Sequence, residues 1–280
     1  MGRDENRAVF EDTEKLCKAN SKLRECIQKS IENQVLILEK DQVDNGVIQK
    51  YEKSANLVVS RKRTYEAASA YKGKKVAVLN FASASNPGGG VVKGASAQEE
   101  CLCRCSTLFF ALSDEKMRDG FYTPHRNAHN PLHNDDIIYT PDVTVFKTDT
   151  ASPKLMDEND WYKVDVITCA APNLRNNPTN KYNPGDGNAI SISDKELMDI
   201  HEKKLKRILD VAVANGAEVV ILGAFGCGAF RNNPVTVAVA ARNVLPDYFN
   251  AFETIEYAVY CRDGDERNYE AFYSALAGLN

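Results

Sequence analysis

Short apolar runs of strand length alternate with longer helical segments through most of the chain, and this alternation constrains the fold more than any other feature. The apolar runs fall at residues 76–79, 144–146, 164–168, 219–222 and 255–260. Segments with helical character fall at residues 96–110, 201–214, 234–245 and 266–279. This alternation predicts an α/β sheet with helices on both faces.

The segments outside this alternation are of two kinds. Residues 5–40 carry spaced apolar residues among many charges, which predicts helix. Residues 119–142 and 172–190 are rich in Pro and Asn and contain glycines. They are too polar to fill a core, so we expect them to be loops that surround a site.

The composition excludes several classes of protein. The 280 residues are 43% hydrophobic and carry a formal net charge of −4, as in an ordinary globular protein and unlike a duplex-DNA binder that neutralises phosphates. No apolar run approaches the length of a membrane span, and the charged N-terminus does not resemble a signal peptide. We therefore expect an intracellular protein, cytoplasmic or nuclear, with its eight cysteines reduced.

The first of two glycine-rich loops covers residues 80–90 and ends in Gly88, Gly89 and Gly90. It follows a predicted strand and precedes a predicted helix, and ligands of open α/β sheets bind beyond the carboxyl ends of the strands. Consecutive glycines let the backbone approach a ligand and present its N–H groups. The loop therefore fits a diphosphate, although a flexible turn explains three glycines alone equally well.

A second loop, at residues 223–234, has the same context of buried strand, glycines and helix. Two such loops in one sheet can each donate backbone N–H groups to one side of a diphosphate. Neither contains the Gly-Lys-Ser/Thr of a Walker A loop, and neither matches the dinucleotide-binding glycine pattern. A mononucleotide kinase and a dinucleotide-dependent dehydrogenase are therefore disfavoured.

Gln98, Glu99 and Glu100 follow the first loop at the start of a predicted helix. Carboxylates in a first turn interact favourably with the helix dipole, so a purely structural role is one interpretation. Beside a diphosphate loop, one carboxyl could instead face a ribose while the other holds a different hydroxyl, since adjacent helical residues point about 100° apart. Neighbouring residues are poorly placed to flank a glycosidic bond from opposite sides, so we predict a single acid/base carboxyl.

These features together resemble a known family. Residues 78–90, followed after seven residues by Gln98, Glu99 and Glu100, are similar to the signature of poly(ADP-ribose) glycohydrolases, above all the compact microbial type built on a macrodomain. Similar blocks at 139–146, 167–173 and 222–230 extend the resemblance from about residue 60 to 262.

The resemblance implies a three-layer α/β/α macrodomain-like mixed sheet. It also implies an N-terminal helical extension at residues 1–60, packed on the core, and a catalytic domain at residues 61–280.

The resemblance further implies a role for each matching residue. Glu100 would be the catalytic acid/base, Glu99 would hold ribose hydroxyls, and Gln98 would support the loop. Tyr260 is a candidate for stacking on adenine. Asn80 and Asn86 would bind ribose hydroxyls or brace the loop. Gly88, Gly89 and Gly90 would approach the diphosphate and the distal ribose. The second diphosphate loop would consist of Gly226, Cys227, Gly228 and Ala229, and Phe230 would pack on the distal ribose.

The activity implied is hydrolysis of the ribose–ribose O-glycosidic bond of ADP-ribose chains from their ends, releasing ADP-ribose. The substrate would be poly(ADP-ribose) or ADP-ribosylated protein, the enzyme a monomer, and no cofactor or metal would be needed. Two alternatives stay open: hydrolysis of other ADP-ribosyl linkages, and a non-catalytic ADP-ribose reader. The intact acidic pair argues against a pure reader.

Two further clusters could bind metal but are interpreted otherwise. His125, His129 and His133 are spaced by four, which would suit a metal on a helix, but the surrounding prolines and asparagines predict a loop. Cys101, Cys103 and Cys105 lack zinc-site spacing, so we predict core and lining positions for them.

Overall fold

The computed structural model describes residues 1–46, 48–262 and 264–279. Within these residues seven strands form one mixed sheet of order β1-β4-β5-β3-β6-β7-β2. The strands are β1 (Val35–Ile37), β2 (Asn56–Ser60), β3 (Val76–Phe81), β4 (Ile137–Val145), β5 (Tyr162–Cys169), β6 (Val219–Leu222) and β7 (Thr254–Ala258). Strand β4 runs antiparallel to its neighbours β1 and β5, and the other neighbouring strands are parallel.

Helices cover both faces of this sheet. They are α1 (Arg3–Ala19), α2 (Ser21–Asn33), α3 (Thr64–Ala68), α4 (Gln98–Cys105), α5 (Leu108–Leu112), α6 (Glu115–Met117), α7 (Thr123–Ala128), α8 (Asp194–Ala214), α9 (Pro234–Val244) and α10 (Arg267–Leu276). In the part of the chain that the structure describes, no helix is both long enough and apolar enough to cross a membrane.

The central strand β3 shows how the layers form. Successive side chains of a strand point to opposite faces, so Val78 and Leu79 enter different cores. Leu79 packs in the core that also receives α8, α9 and α10, whereas Val78 packs in the core that receives α1, α3, α4 and α5. The predicted sheet with helices on both faces is confirmed.

The N-terminal segment departs from its prediction. Helix ends at Asn33, and Val35–Ile37 is an edge strand paired with β4, so the prediction of helix to residue 40 was wrong. Strand β2, which the sequence did not reveal, pairs with β7 at the other edge. Residues 1–60 therefore supply two strands of the sheet, and the division at residue 60 stays a prediction.

Two internal segments also differ from expectation. The predicted helix 96–110 is broken at Ser106, whose hydroxyl donates to the Leu102 carbonyl and accepts from the Leu108 N–H. These local bonds compete with the helical pattern. The predicted loop 119–142 instead contains most of a π-helical turn (Arg118–Tyr122), α7 and the start of β4.

Candidate active site

The two glycine-rich loops meet because they follow neighbouring parallel strands, β3 and β6. The carboxyl ends of parallel strands lie at the same edge of a sheet, so the loops line one cavity of about 790 Å³. Gly89 and Gly90 line it from the first loop, and Gly226 and Gly228 from the second.

Glu99 and Glu100 lie in the first turn of α4, in the wall of this cavity, and are only 2% and 7% exposed. The Gly90 N–H donates to Glu100 Oε1 at 2.9 Å. Among the described residues, Glu100 Oε2 has no hydrogen-bond partner. One oxygen of this carboxyl is therefore fixed by the glycine loop, and the other keeps its hydrogen-bonding capacity unused.

Glu99 is held by different partners. The Ser83 N–H donates to its Oε2 at 2.8 Å, and Asn80 Nδ2 donates to its Oε1 at 3.3 Å. Asn80 is fully buried and also donates to Thr168 Oγ1. It therefore lies outside the cavity lining and positions Glu99, which fits the brace role among those predicted for it.

The environment of the pair favours retention of a proton. Burial raises the pKa of Glu99 well above its ordinary value, and the neighbouring Glu100 charge raises it further. Burial also raises the pKa of Glu100, against the opposing hydrogen bond from Gly90. Two buried carboxyls side by side resist double ionisation, so the pair can supply a proton nearer neutral pH than exposed carboxyls can.

Two glycines of the first loop adopt a backbone conformation that disfavours other residues. Gly88 and Gly89 have φ angles of +66° and +59°. A Cβ on Gly88 would lie 2.8 Å from the Phe109 ring, so Gly88 packs against the core rather than the cavity. The left-handed conformation and the close packing both require glycine here.

Gln98 connects the acidic helix to the end of β3. Its Oε1 accepts from the Phe81 N–H at 2.9 Å, and its Nε2 donates to the Leu79 carbonyl at 2.7 Å and to Thr64 Oγ1 at 3.0 Å. These bonds fix the first turn of α4 relative to the sheet, in keeping with the supporting role predicted for Gln98.

The second loop places Gly226, Gly228, Ala229 and Phe230 in the cavity lining, but not Cys227. Burial raises the pKa of the Cys227 thiol, which disfavours the reactive thiolate.

Two polar side chains lie beside the Phe230 ring. The Arg175 guanidinium lies 5.6 Å from its centroid, and the His133 ring lies 6.0 Å away. Arg175 itself lines the cavity and is held by Asp186 at 3.0 Å. The ring is thereby positioned at the end of the second loop, where the sequence predicted contact with the distal ribose.

The polar segment 172–190 borders the site as expected, whereas 119–142 does not. Arg175 and Tyr182 of the first segment line the cavity, but no residue of 119–142 does. That segment instead supports the first loop from behind, where Arg126 Nη2 donates to the Ser85 carbonyl at 2.7 Å.

Asn86 also reaches the 172–190 segment, since its Nδ2 donates to Asn183 Oδ1 at 2.8 Å. The structure thus places Asn86, like Asn80, as a brace rather than in the cavity lining.

Several cavity residues escaped the sequence reasoning. Arg3 lies in the predicted extension, and Asp149 follows β4, so no local motif marked them. The polarity of 172–190 was the only available signal for Arg175, Tyr182 and Asn183. The Cys101 side chain also lines the cavity, whereas Cys103 and Cys105 are buried.

The three histidines do not share a helix face. His125 lies in α7, contrary to the loop predicted for it, while His129 and His133 adopt left-handed backbone conformations. The His133 Nδ1–H donates to the Ala171 carbonyl at 2.8 Å, and burial lowers its pKa to about 3. Among the described residues, no three potential ligands are grouped as a metal site would require.

Comparison with known families identifies this arrangement. The family model described as the catalytic domain of microbial-type PARG matches residues 5–148, just over half of the 280-residue chain. The chain belongs to the microbial-type poly(ADP-ribose) glycohydrolase family. The resemblance seen in the sequence is thereby confirmed. A search of curated protein sequences gives no significant match.

Solved poly(ADP-ribose) glycohydrolases share the fold over nearly the whole chain. The enzyme from Thermomonospora curvata is 27% identical, with a TM-score of 0.82 and coverage of 98% of this chain and 100% of that one. The same enzyme bound to the inhibitor ADP-HPD gives a TM-score of 0.79, again at 27% identity, over 97% and 99% of the two chains.

The Deinococcus radiodurans enzyme in complex with ADP-ribose is 29% identical, with a TM-score of 0.77 over 91% of this chain and 98% of that one. The macrodomain-like fold predicted for this glycohydrolase is therefore confirmed.

Proposed function

We propose that this enzyme hydrolyses the ribose–ribose O-glycosidic bond of poly(ADP-ribose) at chain ends and releases ADP-ribose. The observation that carries the proposal is the state of the Glu100 carboxyl. Glu100 lines a cavity between two glycine-rich loops, and one of its carboxyl oxygens is held by the Gly90 N–H while the other has no partner among the described residues. A reader of ADP-ribose has no need of such a buried acid.

The two loops suit the diphosphate of one ADP-ribose unit. Gly89 and Gly90 approach it from one side, and Gly226 and Gly228 from the other. Phe230 packs on the distal ribose, and Glu99 accepts hydrogen bonds from ribose hydroxyls. A cavity of about 790 Å³ is within the size range of sites that enclose one small ligand.

Glu100 then supplies both proton transfers. Its protonated form gives a proton to the leaving ribose oxygen as the glycosidic bond breaks. The resulting carboxylate takes a proton from the attacking water, which restores the acid. The oxocarbenium-like centre between these steps is stabilised by the negative charge of the substrate's own diphosphate.

Relatives of the enzyme support this choice of ligand. The Deinococcus radiodurans structure holds ADP-ribose, and a Thermomonospora curvata structure holds the inhibitor ADP-HPD. Hydrolysis of other ADP-ribosyl linkages uses the same chemistry with a different leaving group, so substrate preference has to be measured directly.

Glu100→Gln tests the assignment with little change of shape. The amide oxygen can still accept from the Gly90 N–H, but the side chain no longer exchanges a proton. We expect hydrolysis of labelled poly(ADP-ribose) to fall by a factor of roughly 100 or more, with ADP-ribose binding retained. Glu115→Gln, an exposed first-turn carboxyl on α6, is the matched control.

Two outcomes would contradict the proposal. A fully active Glu100→Gln enzyme would show that another group transfers the proton. A wild-type protein that binds the polymer without cleaving it would show that the chain is a reader.

A further inference from the structure

The cavity wall beside Glu100 is built partly from the first residues of the chain. Arg3 and Tyr182 both line the cavity. The Arg3 guanidinium lies 4.2 Å from the centroid of the Tyr182 ring, and its Nη1 donates to the Tyr182 hydroxyl. The Lys181 ammonium lies 4.9 Å from the same ring. Two cations are therefore gathered on one aromatic side chain, which we call the Tyr182 cluster.

Gly90 connects this cluster to the catalytic carboxyl. A Cβ built on Gly90 would lie 3.2 Å from the Cβ of Tyr182 and 3.6 Å from Glu100 Oε1. Tyr182 and the Glu100 carboxyl thus border the same backbone position. The cluster is therefore next to the place where the glycosidic bond would be cleaved.

The segment that carries Tyr182 is fixed to the first glycine loop. Asn183 Oδ1 accepts hydrogen bonds from Ser83 Oγ at 2.5 Å and from Asn86 Nδ2 at 2.8 Å. Its own backbone also pairs with that of Asn180. The position of Tyr182 is consequently determined by the same loop that approaches the diphosphate.

The segment that carries Arg3 is fixed as firmly. Asn6 Nδ2 donates to the Gly94 carbonyl at 3.3 Å, and a Cβ on Gly94 would overlap the Arg3 carbonyl oxygen. Helix α1 therefore packs directly on the turn that follows Gly90. The N-terminal helix is part of the active-site wall and not only a cover for the core.

The charges of the cluster are available to an anion. In the described parts of the chain, neither Arg3 nor Lys181 pairs with a carboxylate, whereas Arg7, one turn further along α1, pairs with Asp4 and Glu11. Arg3 lines the cavity, and Lys181 adds a second charge on the same tyrosine ring. Two such cations together, in a protein of net charge −4, favour an anionic ligand.

We propose that Arg3 and Lys181, positioned by Tyr182, bind the diphosphate of the adjacent ADP-ribose unit, which stays with the remaining chain when the terminal unit is released. This inference rests on the proposed function. In the polymer, the oxygen protonated by Glu100 belongs to the next unit, which carries its own diphosphate. Single ADP-ribosyl groups on an amino acid or an acetyl group have no such charge, so the cluster makes the enzyme prefer chains.

The test compares two substrates that share the ADP-ribose unit to be released but have different leaving groups. One is poly(ADP-ribose), and the other is an ADP-ribosyl aryl ether with an uncharged phenol as leaving group. For Arg3→Ala and for Lys181→Ala, we expect kcat/KM on the polymer to fall roughly tenfold further than on the aryl ether. Arg7→Ala, on the same helix, should change neither substrate's kcat/KM.

A binding measurement gives an independent answer. In the Glu100→Gln background, Arg3→Ala should weaken binding of a two-unit ADP-ribose oligomer roughly tenfold relative to binding of ADP-ribose. Equal losses for both ligands and both substrates would show that the cluster only supports the wall, and would overturn the inference. A wild-type enzyme that cleaves the aryl ether but not the polymer would refute the proposed function, while the binding comparison would still decide the anion site.

Discussion

Gly89 lies against Glu100 so closely that a Cβ on the glycine would be 2.6 Å from Glu100 Oε1. The same Cβ would be 3.0 Å from Glu99 Oε2. The loop that approaches the diphosphate and the carboxyls that act on the glycosidic bond are therefore one packed unit. A change in the loop backbone must move the acid as well.

Gly89→Ala should abolish activity while leaving the fold intact. The new methyl group would displace the Glu100 carboxyl, and the φ of +59° adds strain of about 1 kcal/mol. Polymer hydrolysis and thermal unfolding would be measured together. Gly216→Ala is the control, because its φ is +73° but no atom lies within 4 Å of its Cβ position. It should lose stability but not activity, and equal activity of the two variants would argue against the close packing.

Gln98→Glu should destabilise the acidic helix at its first turn. The Gln98 amide donates to the Leu79 carbonyl and to Thr64 Oγ1, and a carboxylate cannot donate. We expect a loss of about 1–3 kcal/mol in the free energy of unfolding, measured by denaturant titration, and a lower kcat. Gln42→Glu, an exposed position, should change neither. An unchanged stability of Gln98→Glu would show that these bonds contribute little.

Asp149→Asn should change how stability depends on pH. Burial raises the pKa of Asp149 from 3.8 to about 6, and its Oδ2 accepts from the Tyr65 N–H. Because the folded-state pKa is raised, the stabilisation it provides is complete below pH 3.8 and is lost as the pH rises through 6.

The Asp149→Asn variant, with no ionisable group at this position, should gain stability relative to wild type above pH 6, by up to about 3 kcal/mol. The gain should vanish near pH 4. Denaturant unfolding across this range measures it, with the exposed Asp119→Asn as control. A constant difference between Asp149→Asn and wild type would contradict the raised pKa.

Tyr260→Ala should weaken ADP-ribose binding if this ring stacks on adenine, as the sequence predicted. Tyr260 lines the cavity, is 45% exposed, and has the Arg63 guanidinium 3.9 Å from its centroid. The loss of one stacked base costs roughly 1–3 kcal/mol, measured by calorimetry. Tyr260→Phe keeps the ring and should bind normally. Equal affinities for the alanine variant and wild type would place the adenine elsewhere.

Local patterns were sufficient to locate the central strands and the catalytic loops. Strands β3, β5 and β6 were found within a few residues, because each is a buried apolar run. The edge strands β1 and β2 were missed. Their side chains are mostly exposed or half-buried, and only pairing with β4 and β7, far along the chain, makes them strands.

The residues of the candidate site fall into the same two groups: those that local sequence patterns reveal, and those that only contacts between distant segments bring together. Local sequence patterns located the two glycine-rich loops, the acidic pair at the start of a helix and the family, because each is a contiguous signal of glycines, apolar runs or motif spacing. Tertiary contacts alone show that Arg3 and Lys181 gather on the ring of Tyr182, next to the first glycine loop. They also show that Asn80 and Asn86 brace that loop rather than line the cavity. These contacts join segments that lie far apart in the chain, and their geometry depends on packing that no local periodicity encodes.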